Sequence, residues 1–464
     1  MVNIFSISNV AFAILTLGGC AVGPDYVAPQ AVEQIQLNQA YQQAPQATRW
    51  WRAFDDAELN RLVSIALEQN RSLVKAQANV QRAAAIFKDA DNDWLPKGSL
   101  DGTYQASENS TIATADNNVV SRGNTVGANL SWDLDLFGKI RRATEAAAAN
   151  AQQAEALWHE AQVQIISQVA SSYGDFRGAQ LRLQVAEQNL VNLQQTRNIV
   201  EVRLEAGFSS DFELARVDAQ YYEIKTMVPG LNADLLRAKA TLSALLGFAP
   251  GELTLADASP LPQLSQPIAI VDSRDYLKFR ADVAAAERRL AASTADIGVV
   301  TADWYPALSV KGFLGFVSAP GLALNAANQA WSVAPTLSWQ AGDLASVKAK
   351  IRAADASAKM ALADFEQEVL DAVNEIELSL HAYNLSREQQ LFSELQYKAS
   401  TKAMLIARVR YESGSGEFYD LLDAERAWLN SRDQLTQFQQ LSFEKLVTVY
   451  RVFGGSLALQ QQDV

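Results

Sequence analysis

The chain has 464 residues, with 39 Lys+Arg against 52 Asp+Glu for a formal net charge of −13, two histidines and one cysteine. This acidic balance supplies no basic face to neutralise phosphates, so nucleic acid is excluded as a partner. So few His and Cys residues exclude a His/Cys metal centre, a disulfide framework and a well-partnered Cys nucleophile, and composition points away from enzymes. No run of 18 or more apolar residues occurs, which rules out a bundle of membrane-spanning helices.

The apolar stretch at residues 10–17 (VAFAILTL) is too short to span a bilayer but suits the core of a secretory signal, although residues 1–9 carry no Lys or Arg. Leu17-Gly18-Gly19-Cys20 resembles a bacterial lipobox, and the only cysteine of the chain stands at the position a lipobox requires. Ala21 in place of Asp resembles the pattern passed on to the outer membrane. The expected modification is a covalent lipid on Cys20, bringing the more than one acyl chain that stable anchoring needs. The alternative is an ordinary signal peptide with an incidental cysteine. No other cofactor and no metal is expected.

The chain is written twice. Asp93-Trp94-Leu95-Pro96 returns as Asp303-Trp304-Tyr305-Pro306, and Leu130-Ser131-Trp132 as Leu337-Ser338-Trp339. Arg203-Leu204-Glu205-Ala206-Gly207 matches Arg410-Tyr411-Glu412-Ser413-Gly414, and Leu246-Gly247 matches Phe453-Gly454. The offsets of 207 to 210 residues are too long for a solenoid unit and indicate duplication of a domain-sized half. The expected divisions are a signal peptide at 1–19, an N-terminal lipidated segment at 20–60, repeats at 61–248 and 272–455, a Pro-rich linker at 249–271 and a tail at 456–464.

Within each half the hydrophobic period changes. Alternation predicts strands at about 97–108 and 124–135, then at about 307–317 and 330–340, with Leu130 and Val310 on the apolar stripe and Ser131 on the polar one. Period-2 patterning over about ten residues fits a transmembrane β-strand; a soluble sheet with one wet face is the competing reading. Long polar loops (109–123 and 318–329) and Trp94, Trp132, Trp304 and Trp339 at the opposite strand ends favour the membrane, the tryptophans as an aromatic girdle. Pro335 should mark an edge, bulge or bend. Nearly everything else reads as helix, including unbroken runs over about 137–206 and 345–413. The stripe Ala154, Leu157, Ala161, Ile165, Val169, Tyr173, Phe176 is followed by a heptad frame at Ala186, Leu190, Leu193 and Val200. His159 and His381 lie in helical stretches without a nucleophile and read as surface or packing residues.

Four strands cannot close a barrel, and an open edge in hydrocarbon leaves backbone groups unsatisfied. The sheet must therefore close with copies from other chains, which yields an oligomeric channel without fixing its copy number.

The duplicated strand-pair and long-helix plan resembles the TolC family of outer-membrane efflux proteins. Cys20-Ala21-Val22-Gly23-Pro24-Asp25-Tyr26, Trp50-Trp51 and Trp132-Asp133-Leu134-Asp135-Leu136-Phe137-Gly138-Lys139 are similar to its NodT/OprM-type lipoprotein branch. Where the family has a Phe-Asp-Gly-Gly-like turn after the fourth strand, this chain has Gln340-Ala341-Gly342-Asp343-Leu344, a local departure. The resemblance implies a mainly α fold with a small β part: a homotrimer whose 12-stranded transmembrane β-barrel continues into a 12-helix periplasmic α-barrel. It implies a passive exit duct in the outer membrane, lipid-anchored, with a periplasmic adaptor (membrane fusion protein) and an inner-membrane pump of resistance-nodulation-division type as partners. A periplasmic coiled-coil adaptor or scaffold leaves the strands unexplained; the exit duct of a protein-secretion system is a further alternative.

The Gly207 and Gly414 turns end the long helices and mark the periplasmic tip. Asp420 and Asp423, spaced i,i+3 on one helix face with Tyr419, would form rings of carboxylates and aromatics around a threefold axis, although acids in a first helical turn also simply favour the dipole. The family resemblance points to Tyr419, Asp420 and Asp423 as the gate. Tyr411 resembles the tyrosine that ties neighbouring coils shut, with Gly416 where some members have a basic partner. Phe212, Glu213 and Arg216 are expected on the other side of the latch.

Overall fold

A computed structural model describes residues 21–29, 49–110, 118–255, 260–262, 280–318 and 326–454, together with a two-residue parallel pairing of Gln42–Gln43 with Ala269–Ile270. Cys20, the signal peptide, the tail and most of the linker lie outside the described residues. In the first half, helices α1 (Ala57–Gln69) and α2 (Arg71–Asn92) precede strands β1 (Lys97–Ser110) and β2 (Asn118–Leu134), then helices α3 (Lys139–Glu205) and α4 (Asp211–Leu246). The second half gives α5 (Ala281–Ala302), β3 (Ala307–Ser318), β4 (Gln329–Ser338), α6 (Leu344–Glu412) and α7 (Phe418–Val452).

The helices begin where side chains can satisfy orphan N–H groups. Asp56 accepts from the Leu59 N–H at 2.8 Å, and Asn70 from Ser72 and Leu73 at 2.9 and 3.2 Å. Ser210 and Glu213 form a reciprocal capping box at the start of α4. Helices α3 and α6, of 67 and 69 residues, end alike. Gly207 and Gly414 each take φ 74°, which a side chain would resist. Phe208 N–H then reaches the Arg203 carbonyl and Ser415 N–H the Arg410 carbonyl, both at 2.8 Å.

Strands β1 to β4 form one antiparallel sheet in chain order. The register carries the apolar stripe straight across it: Leu100 lies opposite Ala128, Ala128 opposite Leu314, and Leu314 opposite Trp331. Leu100, Leu314 and Trp331 are exposed, so the apolar face of the sheet is uncovered within one chain. Pro335 sits on β4, an edge strand. The first strand pair is longer than its hydrophobic pattern indicated. The ladder runs on to Ser110 opposite Asn118, so pairing occupies much of the expected 109–123 loop. Backbone hydrogen bonds need no apolar face, and a polar hairpin can continue beyond the point where the stripe ends. Strand β4 stops at Ser338, leaving Trp339 just past it, and a short 3-10 turn at Ala341–Asp343 leads into α6.

The described chain divides into two compact units, each drawing segments from both halves. One comprises Met1–Gln30, Asn79–Glu155 and Ala285–Glu366; the other comprises Ala31–Ala78, Ala156–Ala284 and Gln367–Val464. In the first, Ala149, Ala291 and Ala292 pack with Tyr26, and their small side chains let α3 and α5 approach. In the second, Trp50 stacks on Tyr450 with centroids 4.9 Å apart, and Phe54 meets Phe443 at 5.1 Å. A Cβ at Gly174 would fall 2.5 Å from the Phe443 ring, so that glycine is what lets α3 and α7 touch there. Of the stripe on α3, Ala154, Ile165, Val169, Tyr173 and Phe176 are buried, as are Ala186, Leu193 and Val200. Leu157 is exposed instead; the buried position at that turn belongs to His159, tilted against Trp158.

Candidate functional site

The residues singled out at the helix ends converge within the second unit. Tyr411 is buried where α6 meets α3. Its ring lies against Phe418 with centroids 5.9 Å apart, and the Arg203 guanidinium sits 4.5 Å from its centroid. Arg203 also donates from Nη1 to the Tyr411 carbonyl at 3.0 Å. The basic side chain beside Tyr411 thus comes from the first half of the chain. Burial pushes the Tyr411 phenol up, opposed by the Arg203 charge. Val200, Val217, Leu421 and Leu422 complete this cluster.

Tyr419, Asp420 and Asp423 are all exposed on the first turns of α7. Arg216 lies 5.2 Å from the Tyr419 ring centroid and 5.7 Å from that of Phe212, drawing the two aromatics together. Glu213 is occupied locally: it accepts from Ser209 Oγ and closes the capping box with Ser210. Asp420 favours the N-terminal dipole of its helix, whatever else it does.

Beneath this surface is a group that no pattern in the sequence singles out. Glu425 is 2% exposed and accepts from Thr196 Oγ1 at 2.8 Å and Arg408 Nη2 at 2.7 Å, joining α3, α6 and α7. Its position two residues past the exposed Asp423 marks it as inward only once the face of α7 is known.

In the first unit the segment after Cys20 is strapped to the strand–helix junction. Val22 N–H donates to the Phe137 carbonyl at 3.1 Å. Arg142, 4% exposed, donates to the Val22 carbonyl at 3.2 Å, the Asp25 carboxylate at 2.6 Å and Glu145 at 2.8 Å. A Cβ at Gly138 would lie 2.6 Å from the Ala21 Cα, and one at Gly23 would lie 2.5 Å from the Gly298 Cα. Tyr26 donates to Glu287 at 2.6 Å, with Arg288 paired to the same carboxylate. Burial works against the Glu287 charge, yet Arg288 and Tyr26 hold this acid below its ordinary range.

The four tryptophans form two matched pairs at the base of the sheet: Trp132 with Trp94 and Trp339 with Trp304, each bonded indole to carbonyl. Phe137 stacks on Tyr305 at 4.6 Å, and Lys139 pairs with Asp303 at 2.6 Å, tying the exit of β2 to the end of α5. No helix among the described residues is long and apolar enough to cross a membrane. Among them no group of three or more His, Cys, Asp or Glu could hold a metal.

The family model described as outer membrane efflux protein matches residues 62–248 and 273–455. Nodulation protein T of Rhizobium leguminosarum bv. viciae is 28% identical over 451 residues, covering 96% of this chain and 92% of that protein. Outer membrane protein OprJ of Pseudomonas aeruginosa is 30% identical over 468 residues, covering 97% and 96%. The structure of the outer-membrane channel OprN superposes with a TM-score of 0.90 at 38% identity, over 94% of this chain and all of that one.

Proposed function

The chain belongs to the outer membrane efflux protein family and is the outer-membrane channel component of a tripartite efflux system, and from that premise we propose how it assembles and where it is anchored. Three copies of the β1–β4 sheet close into a 12-stranded barrel, and four long helical elements per chain make a 12-helix periplasmic tunnel. The channel is passive: it conducts what an inner-membrane pump of resistance-nodulation-division type delivers through a periplasmic adaptor. The observation that carries this is the register of the sheet. Leu100, Ala128, Leu314 and Trp331 lie in one row on one face, while Ser99, Asn129 and Ser332 share a row on the other. A four-stranded sheet with an uncovered apolar face and two free edges is satisfied in hydrocarbon only by closure.

The anchor is a lipid on Cys20, in the manner of the NodT/OprM-type branch. Ala21 rests on Gly138, four residues beyond the end of β2, so acyl chains on the preceding residue would enter the membrane at the foot of the barrel. The strap formed by Arg142, Asp25 and Tyr26 supports this reading, since it holds the Gly-Pro-Asp-Tyr motif in place.

Purified in detergent, the protein should run as a trimer. Leu130→Arg or Val310→Arg should cost about 2–4 kcal/mol near the membrane midplane, and Ser131→Arg less. Membrane insertion of the three variants, followed by heat-modified gel mobility, measures the difference. A detergent-free soluble monomer would sink the barrel.

A further inference from the structure

The polar face of the sheet carries one aromatic side chain that the pattern does not call for. Phe313 lies on β3 opposite Asn129 of β2, among Ser99, Asn129 and Ser332. Two rungs further along the strands, Gly127 and Gly315 stand directly opposite each other. A Cβ at Gly127 would fall 2.6 Å from Phe313 Cε2, and one at Gly315 would fall 2.8 Å from Phe313 Cζ. The ring is therefore folded down over the glycine pair, flat against the wall, where any larger residue would lift it away. Glycine weakens a strand interior and is found there where something must approach closely; at Gly127 that is the Phe313 ring, and at Gly315 it is the ring together with the nearer Val126 carbonyl and Gly127 Cα of the paired strand.

The same two glycines set a carboxylate beside the ring. Asp101 on β1 lies opposite Gly127, and directly opposite positions are about 5 Å apart at Cβ. Asp101 accepts from Ser99 Oγ and Asn129 Nδ2, both at 2.6 Å, and these neutral donors orient the carboxylate without cancelling its charge. The basic groups of this face are nearer the helices, two rungs from Phe313 and four from Asp101: Lys311 lies opposite Ser131, and Lys97, also opposite Ser131, is paired with Asp93 at 2.6 Å. The side of the ring toward Asp101 is thus its acidic side.

We propose that Phe313 and Asp101 form a binding subsite on the inner wall of the barrel for organic cations with a flat apolar body. The body lies on the Phe313 face and the charge beside the Asp101 carboxylate, three times around the lumen. An aromatic face and a carboxylate both attract a desolvated organic cation, and the attraction is modest enough for the solute to leave again. This rests on the reading of the sheet as a closed barrel with its polar face inward.

The test uses the full-length protein in lipid nanodiscs, with ethidium as the probe and fluorescence anisotropy as the readout, which does not depend on whether the helical end is open. Phe313→Ala and Asp101→Asn should each weaken ethidium binding about threefold to tenfold, and Phe313→Trp should retain it. Leu100→Ala, on the opposite face, should leave it unchanged. Reaction with a membrane-impermeant maleimide, in a Cys20→Ser background, keeps the two readings apart. Phe313→Cys should react and Leu314→Cys should not. Unchanged ethidium binding in Phe313→Ala and Asp101→Asn, with Phe313→Cys reactive, overturns the subsite and leaves the barrel standing. A reactive Leu314→Cys with an inert Phe313→Cys overturns both.

Discussion

Trp132 donates its indole N–H to the main-chain carbonyl of Trp94 at 3.0 Å. The same bond recurs in the second half between Trp339 and Trp304, at 3.2 Å. In each case the strand that leaves the sheet is tied to the turn that enters it, and the carbonyl that is satisfied belongs to the residue two before a proline. Trp132→Phe keeps an aromatic ring and removes the donor, and should lower stability by about 0.5–1.5 kcal/mol. Trp339→Phe should match it within error if the two halves carry equal load. Thermal dissociation of the trimer in detergent reads both.

Removal of the Arg142 side chain frees the strap. Arg142→Ala leaves the Val22 carbonyl and Asp25 without their donor, and a buried charged hydrogen-bonding group of this kind contributes about 2–3 kcal/mol. Hydrogen exchange at residues 21–26 should rise while protection in α7 stays as it was. Loss of protection throughout would mean that the strap stabilises the whole fold rather than its own seating. Cys20→Ser should separately abolish acyl labelling, with barrel assembly retained.

Opening of the helical end should follow from the exposed side of the tip, not the buried one. Tyr419→Ala combined with Asp423→Ala should raise single-channel conductance in planar bilayers and admit large antibiotics into cells. Arg203→Ala strips Tyr411 of its cationic partner and should add to that effect, because it loosens the attachment of α6 to α3. A correctly assembled double variant with unaltered conductance would remove Tyr419 and Asp423 from the closing ring.

A pH dependence follows from Glu444 on α7. Burial and the neighbouring Asp175 carboxylate push its acid up to about 7, and Gln440 donates to both acids. The folded state therefore holds a proton that the unfolded state has released between about pH 4.5 and 7. Stability falls as pH rises through that window, by roughly 1–2 kcal/mol once screening at this half-exposed site is allowed for. Glu444→Gln should flatten the profile and stabilise the protein above pH 7. Melting temperatures at pH 5 and pH 8 decide it; an equal slope in the variant assigns the dependence elsewhere.

The sheet and the long helices were legible because each follows a single period for many residues. The break from Leu134 to Lys139 and the glycine ends at 207 and 414 could be read from the text alone. Arg203 and Arg142 could not. An arginine in a helical run, whether beside Arg141 or between Val202 and Leu204, reads as a solvated face, and nothing local tells that its partner lies 208 residues away, as Tyr411 does from Arg203, or 117 away, as Asp25 does from Arg142. Glu213 is legible for the opposite reason. Its partners, Ser209 and Ser210, are so close in sequence that capping accounts for it before any latch is invoked.

The duplication that makes the two tips alike in backbone leaves them differently charged. Counting back 207 residues, Tyr419 falls on Phe212, Asp420 on Glu213 and Asp423 on Arg216. An aromatic and an acid are preserved, but the third position has reversed its sign. In a trimer the six hairpins therefore alternate between two kinds, and the rim repeats every third of a turn rather than every sixth. A partner whose charges complement such a rim in one register would, after a rotation by one hairpin, meet the opposite sign at the Arg216 and Asp423 positions.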